Sequence, residues 1–222
     1  MDKSAAAGSH RKVFREEIRR AIREAIFSGE LKPGDRIIET FWAKELNVSQ
    51  GPVREAIRDL EAMGLVETVP FKGSRVRLMS EKDIQDNYSV RICLESKSIR
   101  DAISKLSDKE LADLTAQLRD VLQEMDQHAK HGDLRAFSDC DAVFHRTIIN
   151  ATGNQVLLKL WEQCNMRNWF MFSALANAES LIQLQGGHQC IFDAICARNE
   201  CEAVSMLEDH LTGLMEGFLK AH

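Results

Sequence analysis

Asp141 and His145 stand four residues apart in a run with helical apolar spacing, so their side chains project from one helix face. His188 and His210 lie equally far on either side of residue 199, inside the turn Arg198-Asn199-Glu200. In an antiparallel helix pair, positions equidistant from the turn sit side by side, so the spacing predicts that His188 faces His210. Three imidazoles and one carboxylate make a donor set for a borderline divalent ion such as zinc, nickel or manganese. A histidine on an apolar helix face serves equally as a hydrogen-bonded core residue, and spacing alone leaves both readings open. His10, His128, His131 and His222 fall in tail, loop or helix-end positions and are set aside.

A second constellation lies between Asn47 and Val66. It reads as a tight turn, a capped amphipathic helix and a strand. Ser49 is a natural N-cap, and Pro52 falls in the first turn, where a missing N–H costs nothing. Val53, Ala56, Ile57 and Leu60 form an apolar stripe, and Gly64 ends the helix. Gln50, Arg54 and Arg58 lie off the stripe, free to face a partner. A short helix seated in the DNA major groove reads base edges with its N-terminal residues, and arginine is the usual reader of guanine. Two solvated arginines on a surface helix are the plainer alternative.

Several elements must position these residues. Val13 to Phe27 is an amphipathic helix, broken by Ser28-Gly29-Glu30-Leu31-Lys32-Pro33-Gly34-Asp35. Thr40 to Leu46 is a second short helix, packed by Phe41, Ala43 and Leu46. Leu65 to Val69 and Ser74 to Leu78 are strand-like runs around Pro70-Phe71-Lys72-Gly73. Lys72 and Arg75 at such a hairpin suit a wing that reaches phosphates or the minor groove. From Ser80 onward the chain reads as helices over 81–104, 108–130, 133–151, 154–177, 179–198 and 201–220. Breaks are expected at Ser107-Asp108, His131-Gly132-Asp133, Thr152-Gly153-Asn154, Gly186-Gly187 and Arg198-Asn199-Glu200. No proline follows Pro70, as an all-α bundle requires. The fold class is therefore mainly α: an N-terminal winged helix-turn-helix followed by a bundle of six or seven helices. Residues 1–10 read as a disordered tail, 11–79 as the winged helix and 80–222 as the helical domain.

The net charge of −5 is unevenly placed. Residues 1–79 hold 15 Lys and Arg against 12 Asp and Glu, whereas residues 80–222 hold 14 against 22. The positive end can approach phosphates while the acidic end points away. No run resembles a signal peptide or a membrane span. The six cysteines show no Cys-x-x-Cys pair and fall mostly on apparent apolar faces. They are read as reduced, mostly buried thiols of a cytoplasmic protein.

Residues 11–78 resemble the DNA-binding domain of the GntR family of bacterial transcription regulators. The resemblance rests on Ser28-Gly29-Glu30-Leu31-Lys32-Pro33-Gly34, Val48-Ser49, Pro52-Val53-Arg54-Glu55-Ala56, Leu60-Glu61, Gly64-Leu65-Val66 and Gly73. It implies DNA contacts from Thr40, Ser49, Gln50, Gly51, Arg54, Arg58, Lys72 and Gly73. Thr40 and Gln50 stand where many members have arginine, and Gly51 where threonine is common. Residues 81–219 resemble the effector domain of the FadR-type branch of that family, the FCD domain. The matching pieces are Val90-Arg91 with Leu94-Glu95, Asp141 with His145, Gly153-Asn154 with Leu157, His188 with Ile191 and Ala194-Ile195, and Ala203 with His210-Leu211. Metal-binding members hold a divalent ion at these Asp and His positions. One departure is Gly187, where an acidic residue commonly precedes the histidine.

The resemblance implies a cytoplasmic, ligand-responsive regulator, a repressor, that binds an inverted-repeat DNA operator as a homodimer. The metal keeps open coordination positions that a small organic acid can complete. Arg91 is a candidate partner for that acid, with Asn165 and Arg167 beside it; a salt bridge from Arg91 to Glu95 is the competing reading. Two other readings stand against this one. A metal-dependent enzyme could use the Asp/His cluster, although no further residue is placed as a general base. A DNA-binding protein could carry the metal for structure alone. The expectation is a regulator and not an enzyme.

Overall fold

The computed structural model describes residues 3–164 and 181–221. They form two compact units, Met1–Met79 and Ser80–His222.

The first unit contains α1 (Lys3–Phe27), β1 (Arg36–Ile37), α2 (Glu39–Glu45), α3 (Gln50–Ala62), β2 (Val66–Val69) and β3 (Gly73–Val76). Helix α1 begins within the stretch that composition assigns to a disordered tail; Ala5, Ala6 and Ala7 there are strong helix formers. Ile18, Ile22, Ala25 and Ile26 of α1 are buried, as are Val53, Ala56, Ile57 and Leu60 of α3, and the two helices pack together. The sheet has the antiparallel order β1-β3-β2, with Arg36 opposite Arg75 and Val66 opposite Val76. Leu65, Val66 and Val76 close the core from below α3. In α2 the structure corrects the expected packing. Trp42 and Ala43 are buried, and Phe41 lies edge-on against Trp42 at 5.5 Å and stays exposed. The larger indole takes the interior position.

The second unit holds α4 (Glu81–Lys105), α5 (Asp108–His131), α6 (Leu134–Ala151), α7 (Gln155–Gln163), α8 (Leu181–Cys196) and α9 (Glu200–Ala221). Ser80 with Asp83 and Ser107 with Glu110 form capping boxes that satisfy the first amides of α4 and α5. Gly132, in the left-handed region, ends α5, and Asp133 caps α6. Helix α5 packs on α6 and α8, while α4 packs on α6 and α9, and α8 pairs with α9. Buried Ile99, Leu118, Phe137, Phe144, Ile148, Ile191, Ile195, Leu207 and Leu211 fill the space between them.

Two expectations fail here. Helix α8 runs through Gly186-Gly187 without a break, because its packing against α5 and α9 outweighs the weak helix propensity of two glycines. The cysteines are not mostly buried. Cys140 and Cys164 are, but Cys93, Cys190, Cys196 and Cys201 are exposed. In α8 the larger Ile191, Phe192 and Ile195 occupy the interior stripe and leave Cys190 and Cys196 on the flanks. Burial, with nearby Glu124, Asp139 and Asp141, pushes the Cys140 thiol up to about 11, so it is inert. Helix α7 ends at Gln163, and the rest of the expected helix 154–177, from residue 165, lies outside the described residues. Among the described residues no helix is long and apolar enough to cross a membrane.

Candidate metal centre and nucleic-acid interface

Helix α6 carries Asp141 and His145 on its buried face, one turn apart. Helices α8 and α9 run back on each other through residues 197–199. Arg198 takes a positive φ of 53° at that turn, and the side-chain oxygen of Asn199 accepts from the amide of Glu202. The side chain of Arg198 ties the turn to α4 and α5 by donating to the carbonyls of Ile103 and Leu106 and to Asp108. This hairpin brings the rings of His188 and His210 to 4.3 Å between centroids. One ligand atom from each of Asp141, His145, His188 and His210 falls within 4.8 Å of the others. The first three residues are almost fully buried, and His210 is partly buried.

Hydrogen bonds outside the cluster fix which ring atoms face inward. The carbonyl of Leu184 can only accept, so His188 donates to it from Nδ1, at 2.9 Å, and keeps the lone pair of the neutral ring on Nε2. That Nε2 lies 2.9 Å from Asp141 Oδ1 and 3.3 Å from His145 Nε2. His145 Nδ1 lies 2.6 Å from Glu95 Oε2. This approach is short but bent off the hydrogen-bond direction. Asp141 Oδ1 and His210 Nε2 are buried with no hydrogen-bond partner. Nitrogen and oxygen atoms therefore converge on one point, and the unpartnered Asp141 Oδ1 and His210 Nε2 leave electron pairs there that repel their neighbours. A cation at that point removes the repulsion, and imidazole with carboxylate is the donor chemistry of zinc, nickel and manganese sites. The residues present fit a divalent ion.

Burial pushes the His210 pKa well below its ordinary value, and His188, His145 and Arg91 add to the effect, so the ring stays neutral and able to bind metal. Burial alone would raise the Asp141 carboxyl, but His188, His145 and Arg91 outweigh it and lower it. Glu95 behaves alike. Burial opposes its charge, yet His145, Arg91 and the Trp161 N–H hold it down at about 2.

Around the cluster, Arg91 sits with its guanidinium 5.3 Å over the Tyr88 ring and is buried. Its Nε donates to Glu95 Oε1 at 3.1 Å, the competing pairing considered from spacing. Its Nη1 is buried with no hydrogen-bond partner, so one edge of the guanidinium remains for an anion. Asn165 and Arg167 lie outside the described residues. Sequence reasoning missed Glu95 as a partner of His145 and Trp161 as a donor to Glu95 Oε1 at 2.8 Å. Glu95 was legible only as the i, i+4 neighbour of Arg91.

In the first unit, Gln50, Gly51, Arg54 and Arg58 lie exposed along α3, Thr40 is exposed on α2, and Lys72 and Gly73 are exposed at the hairpin tip. Arg54 is held by Glu39 at 2.7 Å and Gln50 at 3.1 Å, and Arg58 by Glu55 at 2.8 Å. Ser49 occupies the N-cap position in extended conformation, but its side chain makes no capping hydrogen bond, a correction to the expected cap. Arg75 is not a free wing cation. It pairs with Glu67, its cross-strand neighbour, at 2.7 Å. Gly73 has φ of 82°, which the hairpin turn demands and which favours glycine.

Residues 14–76 match the family described as bacterial regulatory proteins, gntR family, and residues 86–213 match the FCD domain. A winged helix joined to such a bundle defines a bacterial transcription regulator. The chain belongs to the GntR family, with an FCD domain as its second unit. It is similar to the "Probable D-xylose utilization operon transcriptional repressor" of Paenarthrobacter nicotinovorans, at 31% identity over 202 residues, covering 90% of this chain and 86% of that one. The HTH-type transcriptional repressor GlaR of Escherichia coli (strain K12) is 27% identical, covering 86% and 90%. Among solved structures, E. coli McbR/YncC shares the fold with a TM-score of 0.70 at 20% identity, covering 93% of this chain and 97% of that one.

Two predictions follow from the cluster. A Cβ added at Gly187 would lie 2.6 Å from His210 Nδ1. Gly187→Ala should therefore push the His210 ring out of place and weaken metal binding by about tenfold or more, read by competition with a chromogenic chelator. The second concerns pH. A histidine in the unfolded chain titrates near about 6.5, whereas folded His210 stays neutral well below that. Protons thus bind the unfolded state first, and the His210 contribution lowers stability as pH falls below about 6.5. Thermal melts of metal-free protein across that range should fall more steeply for the wild type than for His210→Asn; equal slopes would refute the assignment.

Proposed function

We propose that this regulator is a cytoplasmic repressor that binds an inverted-repeat operator as a homodimer and responds to a small organic acid. Asp141, His145, His188 and His210 hold one divalent ion, and Arg91 anchors the carboxylate of the effector beside it. The observation that carries this reading is the convergence of one carboxylate and three imidazoles, with Asp141 Oδ1 and His210 Nε2 buried and without a hydrogen-bond partner. A bound divalent ion supplies positive charge and open coordination positions for a carboxylate. The unpartnered Nη1 of Arg91 offers a second, charge-assisted contact to the same group. Asn165 and Arg167 remain effector candidates on the sequence reading alone. The effector changes operator affinity only to the extent that it binds one arrangement of the protein better than another. No catalytic role is assigned to the cluster.

For DNA, α3 is the recognition helix and the β2–β3 hairpin the wing. Thr40, Ser49, Gln50, Gly51, Arg54 and Arg58 approach the major groove, and Lys72 and Gly73 the backbone or minor groove. The relatives named repressors support the sign of regulation. A two-fold symmetric site follows from a two-fold symmetric protein.

Arg54→Ala should cost about 1–3 kcal/mol on the specific operator, whereas Lys72→Ala should weaken binding to all sequences and flatten its salt dependence. Fluorescence anisotropy at several salt concentrations measures both, and an unchanged specific affinity for Arg54→Ala would remove α3 from the groove. For the metal, elemental analysis of the wild type should find about one divalent ion per chain, and the double variant His145→Ala/His188→Ala should have lost it. A thermal-shift screen of small carboxylates with and without chelator then separates a sensor from a structural site. A response that survives chelation equally would argue against the ion's part in sensing.

A further inference from the structure

Glu95 lies on α4, almost fully buried, and divides its two oxygens between two partners' worlds. Oε1 accepts from Trp161 Nε1 at 2.8 Å and from Arg91 Nε at 3.1 Å. Both donors have fixed protons, so Oε1 can only accept. Oε2 is left for His145 Nδ1, 2.6 Å away. The contact is bent off the line of a full hydrogen bond, but a charged carboxylate this close still favours the imidazole proton on Nδ1, and the lone pair of His145 then falls on Nε2. That atom is the one facing His188 Nε2 at 3.3 Å and Asp141 Oδ1 at 3.8 Å.

Resting on the metal site proposed above, we propose that Glu95 is a positioning residue. It selects the tautomer of His145 that can bind metal, and with its other oxygen it holds Arg91 in place for an anion. One buried side chain thus sets the geometry of both halves of the effector site. Leu184 does the same for His188 through a backbone carbonyl, but only Glu95 adds a charge and reaches the guanidinium.

The substitution E95Q keeps the shape and reverses the proton logic. To go on accepting from Trp161 and Arg91, the glutamine must point its carbonyl oxygen at them. Its NH₂ then faces His145 and donates to Nδ1. His145 must carry its own proton on Nε2, aimed into the cluster, where it blocks coordination. Outer partners of metal-bound histidines are worth about 10–100-fold in affinity.

The test uses the full-length protein with its metal removed. Long-range proton–nitrogen NMR of the histidine rings reports which nitrogen carries the proton, and a chromogenic chelator competes for added zinc. The wild type should show His145 protonated on Nδ1. E95Q should show it on Nε2 and bind zinc about 10–100-fold more weakly. A merely structural role for Glu95 would lower the melting temperature without moving the ring proton. A wild-type His145 protonated on Nε2 overturns the proposal without any variant, and so does an E95Q protein whose ring proton and zinc affinity match the wild type. If the wild type binds no zinc, the metal reading fails, while the ring nitrogens still decide the role of Glu95.

Discussion

Four side chains with ligand atoms within 4.8 Å of one another inside a packed bundle leave two of those atoms without a hydrogen-bond partner, and the second unit is organised around that constraint. Leaving a buried polar group without a partner costs about 1–3 kcal/mol, and more for a charged one. Asp141 Oδ1 and His210 Nε2 are in that position, with a depressed Asp141 pKa that keeps the carboxylate charged. Such a cluster is tolerated because the surrounding helices over-determine it. Phe144 presses edge-on against both His145 and His188, at 5.5 and 5.0 Å, so neither ring can swing away without opening the core. A cation bound there would recover that cost, and its affinity would then be linked to the stability of the bundle.

The layer behind the cluster decides what it can do. Glu95 of α4 joins three partners: Arg91 on its own helix, Trp161 on α7 and His145 on α6. A buried ion pair is weak support for stability by itself, because desolvation offsets its attraction. Here the Arg91–Glu95 pair has other consequences. It keeps a carboxylate charged beside His145 Nδ1, and it leaves Arg91 Nη1 without a hydrogen-bond partner. The pair itself is not what holds the helices together. Apolar residues such as Phe137, Ile191 and Leu207 do that instead.

The parts of this arrangement that are periodic were legible in the sequence. The i, i+4 spacing put Asp141 and His145 on one face, and the symmetry about residue 199 paired His188 with His210. Capping chemistry located the starts of α4 and α5 at Ser80 and Ser107. What escaped were choices made by tertiary packing. Trp42 rather than Phe41 enters the core of the first unit, since pattern cannot rank two adjacent aromatics in a seven-residue helix. Gly186-Gly187 reads locally as a break, yet the close approach of His210 makes a residue without Cβ the natural occupant at Gly187 within a continuous helix. Glu95 and His145 are far apart in sequence and on different helices, so no local signal joins them.

The departure at Gly187 gains a physical meaning from this. An acidic residue there would put a side chain where the His210 ring now sits, so it would require a different seat for that ring. In this chain the missing side chain lets His210 lie against the backbone of α8, with the neutral ring pushed by burial into the form that binds metal. His210 is thus held by steric fit against α8, whereas His188 is oriented by the acceptor at its Nδ1 and His145 lies with its Nδ1 beside Glu95 Oε2. His210 is also the least buried of the four. A ligand oriented by packing on a partly exposed helix face is the one that can shift with least cost when something else enters the site. On α6, by contrast, His145 is fixed between Glu95 and Phe144, and Asp141 beside it is almost fully buried.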